Sequence, residues 1–177
     1  MDRRAPCDVG RGLVIIVVMG VSGTGKTTLG QALAARLGWE FVEADDYHPA
    51  SNVQKMRSGR ALDEKDRGPW LKAVNARVRM LDALGEHAVL ACSALRRTHR
   101  EQLEAGVADM QFVYLDGDPE LIDTRLRRRQ AHFMPATLLT TQLTTLEPPS
   151  DAVFVSIALP TRRQVEVVVQ HLELPHP

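Results

Sequence analysis

The stretch that most constrains this chain is VIIVVMGVSGTGKTTLGQAL, from Val14 to Leu33. A β-branched apolar run ends at Met19, three glycines follow within six residues, and an amphipathic pattern then begins. The spacing Gly20-x-x-x-x-Gly25-Lys26-Thr27 completes the phosphate-loop pattern G-x-x-x-x-G-K-[ST]. Glycine lets the main chain approach a ligand closely. The loop amides and the free N–H groups of the following helix start then form a cradle for polyphosphate. Gly20, Val21, Ser22, Gly23, Thr24, Gly25, Lys26, Thr27 and Thr28 are therefore the expected ATP-binding residues. Lys26 is expected to reach the β/γ-phosphates and the Thr27 hydroxyl to ligate Mg²⁺.

The rest of the chain supplies a setting for that loop. Strand-like runs at 13–18, 40–44, 88–92, 111–115 and 153–157 alternate with helical patterns near 27–37, 49–58, 67–84, 96–105, 118–130, 135–145 and 161–172. Alternation of this kind implies a mainly parallel sheet covered on both faces, with ligands beyond the carboxyl ends of the strands. Asp118, Pro119 and Glu120 carry the cap and first-turn chemistry of a helix start. At 177 residues the chain suits one domain, here 13–177, behind an N-terminal tail at 1–12 without periodic pattern. The formal net charge of zero argues against a protein dominated by attraction to nucleic acid or a membrane surface. Its apolar run at 13–19 is too short to span a bilayer. The two cysteines, Cys7 in the tail and Cys92 at a strand end, are not expected to pair, which suits a cytoplasmic protein.

Three segments after the strands carry candidate chemistry. In EADDYHPASNVQKM, Asp45 is placed to accept the proton of a substrate hydroxyl or to orient Mg²⁺ through water. Asp46 or Tyr47 near a helix start, with Pro49 in its first turn, is the local structural reading of the same residues. His48 follows close behind, without an evident third ligand for a metal site. In ACSALRRTHR, no carboxylate stands where many phosphate-loop enzymes carry a second acid near the metal; Cys92 and Ser93 occupy the position. That moves the metal-side role to Asp45, while Ser93 reads as a cap for the next helix and Arg96, Arg97 and Arg100 as binding groups or a solvated face. In RLRRRQAHFMP, Arg125, Arg128 and Arg129 share one helical face. They suit either a flap that brings guanidinium groups over a triphosphate or an exposed charged helix. In LDEKDRGPWL, Asp63 and Arg67 read as capping and surface residues, with Trp70, Leu71 and Val74 in the core.

Taken together, MGVSGTGKTT, ADDYHPASNVQKM, LDEKDRGPWL, VLACSALRRTHR and AHFMPATLLTTQLTTLEPP resemble the small gluconokinases of the thermoresistant type, relatives of shikimate and nucleoside-monophosphate kinases. The segments run in order from Met19 to Pro149. The resemblance implies a three-layer α/β/α P-loop kinase fold with a parallel five-stranded sheet and a mobile helical flap at approximately 125–147. It implies ATP:D-gluconate 6-phosphotransferase activity with Mg²⁺, in a homodimer. Lys26, Asp45, Arg125 and Arg129 take the catalytic positions under this reading. Asp45, His48, Lys55, Ser93, Arg96 and His132 are the expected gluconate-binding residues. The chain departs from the family pattern at Ala131, where glycine is expected, at Arg60-Ala61-Leu62, where a proline usually precedes the leucine, and at Arg97, where lysine is usual. The alternatives are a related kinase for shikimate, a nucleotide or another sugar acid, and a nucleotide-binding regulator without turnover.

Overall fold

The structure, a computed structural model, describes residues 14–128 and 137–174. In chain order the elements are β1 (Ile15–Met19), α1 (Lys26–Leu37), β2 (Glu40–Glu43), α2 (Ala50–Arg57), α3 (Glu64–Leu84), β3 (Ala88–Ala91), α4 (Arg97–Glu104), β4 (Met110–Asp116), α5 (Pro119–Arg128), α6 (Thr137–Thr145), β5 (Val153–Ser156) and α7 (Thr161–His171). One turn of 3₁₀ helix, Ala44–Tyr47, follows β2 directly.

All strand pairings are parallel, in the order β2-β3-β1-β4-β5. The strand that carries the phosphate loop is therefore the middle one. Its side chains alternate between two cores, which is why the run is apolar without a break. Ile16 and Val18 pack with Leu29 and Leu33 of α1, Ile122 and Leu126 of α5, and Val165 and Val168 of α7. Ile15, Val17 and Met19 face the other way, onto Trp70, Leu71, Val74 and Val78 of α3 and Leu103 of α4. This is the expected three-layer arrangement.

The start of α3 and the cap of α4 differ from the sequence reading. Helix α3 begins at Glu64 rather than near residue 67, because Asp63 caps it. The Asp63 carboxylate accepts from the Lys65 and Asp66 amides, and Asp66 returns a bond to the Asp63 amide, a reciprocal capping box. Helix α4 starts at Arg97 with Arg96 in the cap position, so Ser93 does not cap it. Residues 92–95 instead run in extended and irregular backbone, with Ala94 at φ 42°, before the helix starts. The start at Asp118 and Pro119 is as expected, with the Asp118 carboxylate accepting the Glu120 amide at 2.7 Å.

Candidate active site

The phosphate loop occupies the carboxyl end of the central strand and turns into α1 at Lys26. Gly23 is required there twice over. Its φ is +89°, and a Cβ on it would lie 2.7 Å from Leu126 of α5. The loop is thus pinned from above by α5, which a larger residue would push away. Lys26 is half-buried, and its ammonium donates to the Val21 carbonyl at 3.2 Å.

Beyond the loop lies a cleft lined by Lys26, Asp45, His48, Arg67, Trp70 and Ser93, with Ser22 and Gln142 on its phosphate-loop side. The tertiary fold thus brings Lys26 and Asp45 to one cleft from the ends of β1 and β2, which are not neighbours in the sheet. His48 stacks on Trp70, with centroids 4.2 Å apart and planes 19° from parallel. Trp70 in turn donates its indole N–H to the Ala44 carbonyl at 2.7 Å, which ties α3 to the end of β2. Asn52, 3% exposed, donates to the Asp66 carbonyl at 2.9 Å and sits 3.4 Å from His48 Nδ1. A carboxamide nitrogen can only donate, so Nδ1 accepts and the imidazole proton rests on Nε2. Nε2 lies 3.9 Å from an Asp45 carboxylate oxygen. Burial holds the His48 imidazole below its ordinary titration range, against the pull of Asp45 and with a push from Arg67. At neutral pH the imidazole is therefore neutral, beside Asp45 but beyond hydrogen-bond distance of it.

A carboxylate that the sequence reading does not name meets the Thr27 hydroxyl. Thr27 Oγ1 donates to Glu43 Oε2 at 2.7 Å. Burial pushes the Glu43 carboxyl above the usual range; the Thr27 bond and Lys26 oppose this, and Asp45 adds to it. The signal available was alternation: Glu43 and Asp45 flank the buried Ala44, so two acids leave the end of β2 close together. Arg67, read as a surface residue, is another such case. It lines the cleft and lies 3.3 Å from Glu64, which also receives His99 Nε2 at 3.1 Å and lies 3.7 Å from Arg96. Arg100, read as a binding or solvated arginine, is buried and donates to the Ala94 and Glu147 carbonyls.

Other expected residues fall elsewhere. Lys55 is not among the residues lining the cleft; its ammonium is held by Asp66 and by Asp63 at 3.3 Å. The α3 start supplies both acids, so the cap that begins this helix also engages the lysine. Arg96 turns toward Glu64 and is likewise outside the lining. Arg125 donates to the Ile157 carbonyl at 2.8 Å. With Arg128 it borders a second cleft, beside Gly25, Thr28 and the start of α7. Arg129, Ala131 and His132 lie outside the described residues. Ala61, one of the departures from the family pattern, lines the first cleft. Cys92 is fully buried, and burial pushes its thiol up to about 12, so it is not a reactive group.

A complete phosphate loop on the central strand of a parallel sheet, with a cleft holding Lys26, Asp45 and Arg67 on one side and a cleft bordered by Arg125 and Arg128 on the other, defines a P-loop kinase. A family model described as "AAA domain" matches residues 15–149. The chain is 45% identical to a probable gluconokinase of Xenopus tropicalis over 175 residues, covering 90% of this chain and 92% of that one. It is 51% identical to the gluconokinase of Gluconobacter oxydans, covering 77% and 76%. A crystal structure of a gluconokinase from Sinorhizobium meliloti superposes with a TM-score of 0.81 at 40% identity, over 92% and 91% of the two chains. The chain belongs to the gluconokinase family.

Proposed function

We propose that the protein transfers the γ-phosphoryl group of ATP to D-gluconate, giving 6-phospho-D-gluconate and ADP. The observation that carries this reading is the single cleft shared by Lys26, Asp45, His48 and Arg67. A cation for the phosphate, a carboxylate for a hydroxyl and a guanidinium for a carboxylate are what a sugar-acid kinase needs in one place. Membership of the family supports gluconate over other acceptors.

The chemistry follows from where these groups stand. The phosphate-loop amides and Lys26 hold the triphosphate. The cleft bordered by Gly25, Thr28, Arg125 and α7 suits its nucleoside end. An acceptor hydroxyl oxygen forms a bond to the γ-phosphorus, the bond to the β–γ bridging oxygen breaks, and the hydroxyl proton passes to Asp45. His48 stands beside Asp45, its Nε2 3.9 Å from the carboxylate. Arg67, with Ser93 nearby in the cleft lining, is assigned to the gluconate carboxylate. The Thr27 hydroxyl and the Glu43 carboxylate are hard oxygen donors 2.7 Å apart, which suits Mg²⁺. When bound there the ion neutralises charge on the polyphosphate. Arg125 and Arg129 are assigned to transition-state charge and His132 to the acceptor, within a flap at 125–147 of a single domain, 13–177. A cytoplasmic homodimer is the proposed working form. Among the described residues no helix is long and apolar enough to cross a membrane.

The test is a coupled ADP-release assay over gluconate, other sugar acids, shikimate and nucleoside monophosphates, with and without Mg²⁺. Gluconate should give the highest kcat/KM, and only with the metal present. A higher kcat/KM for another acceptor, or no turnover at all, overturns the assignment.

A further inference from the structure

One contact at the site has no role in the reaction as described. The Ser22 amide, inside the phosphate loop, donates to Gln142 Oε1 at 2.6 Å. The same carboxamide returns a bond, Nε2 donating to Ser22 Oγ at 3.2 Å. Gln142 belongs to α6, more than a hundred residues away in sequence, and it also lines the acceptor cleft together with Thr141, Lys26 and Asp45.

Backbone N–H groups of a phosphate loop are donors built for phosphate oxygens. Here one of them is taken by a carbonyl oxygen of a side chain. The loop lysine is likewise engaged with a loop carbonyl, Val21. One amide of the cradle and its lysine are thus engaged by the protein's own groups. A neutral carboxamide on a backbone amide is a weaker partner than a phosphate oxygen, because hydrogen bonds to charged acceptors are roughly twice as strong. ATP can therefore displace it. Once displaced, the carboxamide still projects from α6 into the cleft where the acceptor hydroxyl meets the γ-phosphate.

We propose that Gln142 occupies the place of a phosphate oxygen on the Ser22 amide, that ATP displaces it, and that the released carboxamide then orients the acceptor for transfer. This rests on the ATP and gluconate reading above. It makes Gln142 a substrate-facing residue that links the filling of the phosphate loop to the arrangement of the acceptor.

Two variants separate this role from a simple brace between α6 and the loop. Gln142→Ala removes the internal competitor, so ATP measured by titration calorimetry without gluconate should bind about 2- to 10-fold more tightly, the worth of one neutral hydrogen bond. At saturating substrates the same variant should turn over roughly 10-fold more slowly, having lost an orienting group. Gln142→Glu keeps an acceptor on the Ser22 amide and adds negative charge, so ATP should bind more weakly than in the parent. Tighter ATP binding in Gln142→Ala is the signature, since loss of a mere brace of the loop would leave ATP affinity unchanged or weaken it. Gln142→Met, close in volume, replaces the alanine variant if that one unfolds. ATP binding no tighter in the uncharged variant, or a parental kcat, overturns the proposal. A parent protein that bound no ATP would remove the ATP assignment as well; a parent that binds and turns over normally confines the failure to Gln142.

Discussion

At the scale of single residues, two carboxylates at the end of β2 have different partners. Glu43 receives the Thr27 hydroxyl, and Asp45 lines the cleft assigned above to the acceptor, beside the neutral His48. Their separation by one buried alanine sends them to different partners. Asp45→Asn keeps the shape and loses the proton acceptor. A general base is worth on the order of 10²–10⁴-fold, so kcat for gluconate should fall by about 10²-fold or more. ATP affinity should change far less, because Lys26 and the loop amides remain. The measurement is kcat beside ATP affinity in the folded variant, and a kcat within about threefold of the parent would exclude Asp45 as the base. The positions of Lys26, Thr27 and Asp45 at the loop and the end of β2 were legible in the sequence because each is local to a motif or a strand end. Glu43 and Arg67 were not. Their roles depend on which side chain stands opposite, and that is set by neighbours 16 residues away for Glu43 and by the packing of α3 for Arg67.

At the scale of elements, α5 joins the phosphate loop to the far edge of the sheet. Leu126 and Ile122 cover Gly23, while Arg125 reaches the Ile157 carbonyl just past β5. The arginine is therefore an anchor as well as a border of the cleft beside Thr28. Arg125→Ala should cost about 1 kcal/mol for the lost hydrogen bond, a fall in Tm of about 2–4 °C. Phosphoryl transfer should slow by more than that loss of stability explains, roughly 10-fold or more, if the guanidinium also meets phosphate. Thermal melts and steady-state rates on one preparation distinguish the two effects; a parental rate with a lowered Tm would leave only the anchor. Helix positions were legible from apolar spacing and from caps such as Asp118. The start of α3 was placed late because its capping box opens a turn ahead of the apolar stripe, at Asp63 and Asp66.

At the scale of the whole molecule, two largely buried imidazoles set an acid limit. His48 is held below its ordinary value of 6.5 by burial, and so is His99, against the pull of Glu64. In each case the unfolded chain takes up a proton more readily than the folded one. Their contribution to stability is therefore complete above about pH 6.5 and is lost as pH falls through the lowered folded values. The Tm should stay level from roughly pH 8 to 7 and fall steadily toward pH 5.5. A Tm that stayed flat to the acid end would refute this account. The alternation of apolar strands with helical stripes, and the one complete loop motif, determined the layered parallel sheet and the binding of a triphosphate. Both follow from patterns only a few residues long, and the backbone obeys them wherever the segment lies. The strand order, the meeting of Lys26 with Asp45 and Arg67, the engagement of Lys55 by the acids that start α3, and the contact of Gln142 with Ser22 were decided by the tertiary structure alone. Each depends on which strand ends and helices pack side by side, and packing compares all the surfaces of the chain at once rather than one window of its sequence.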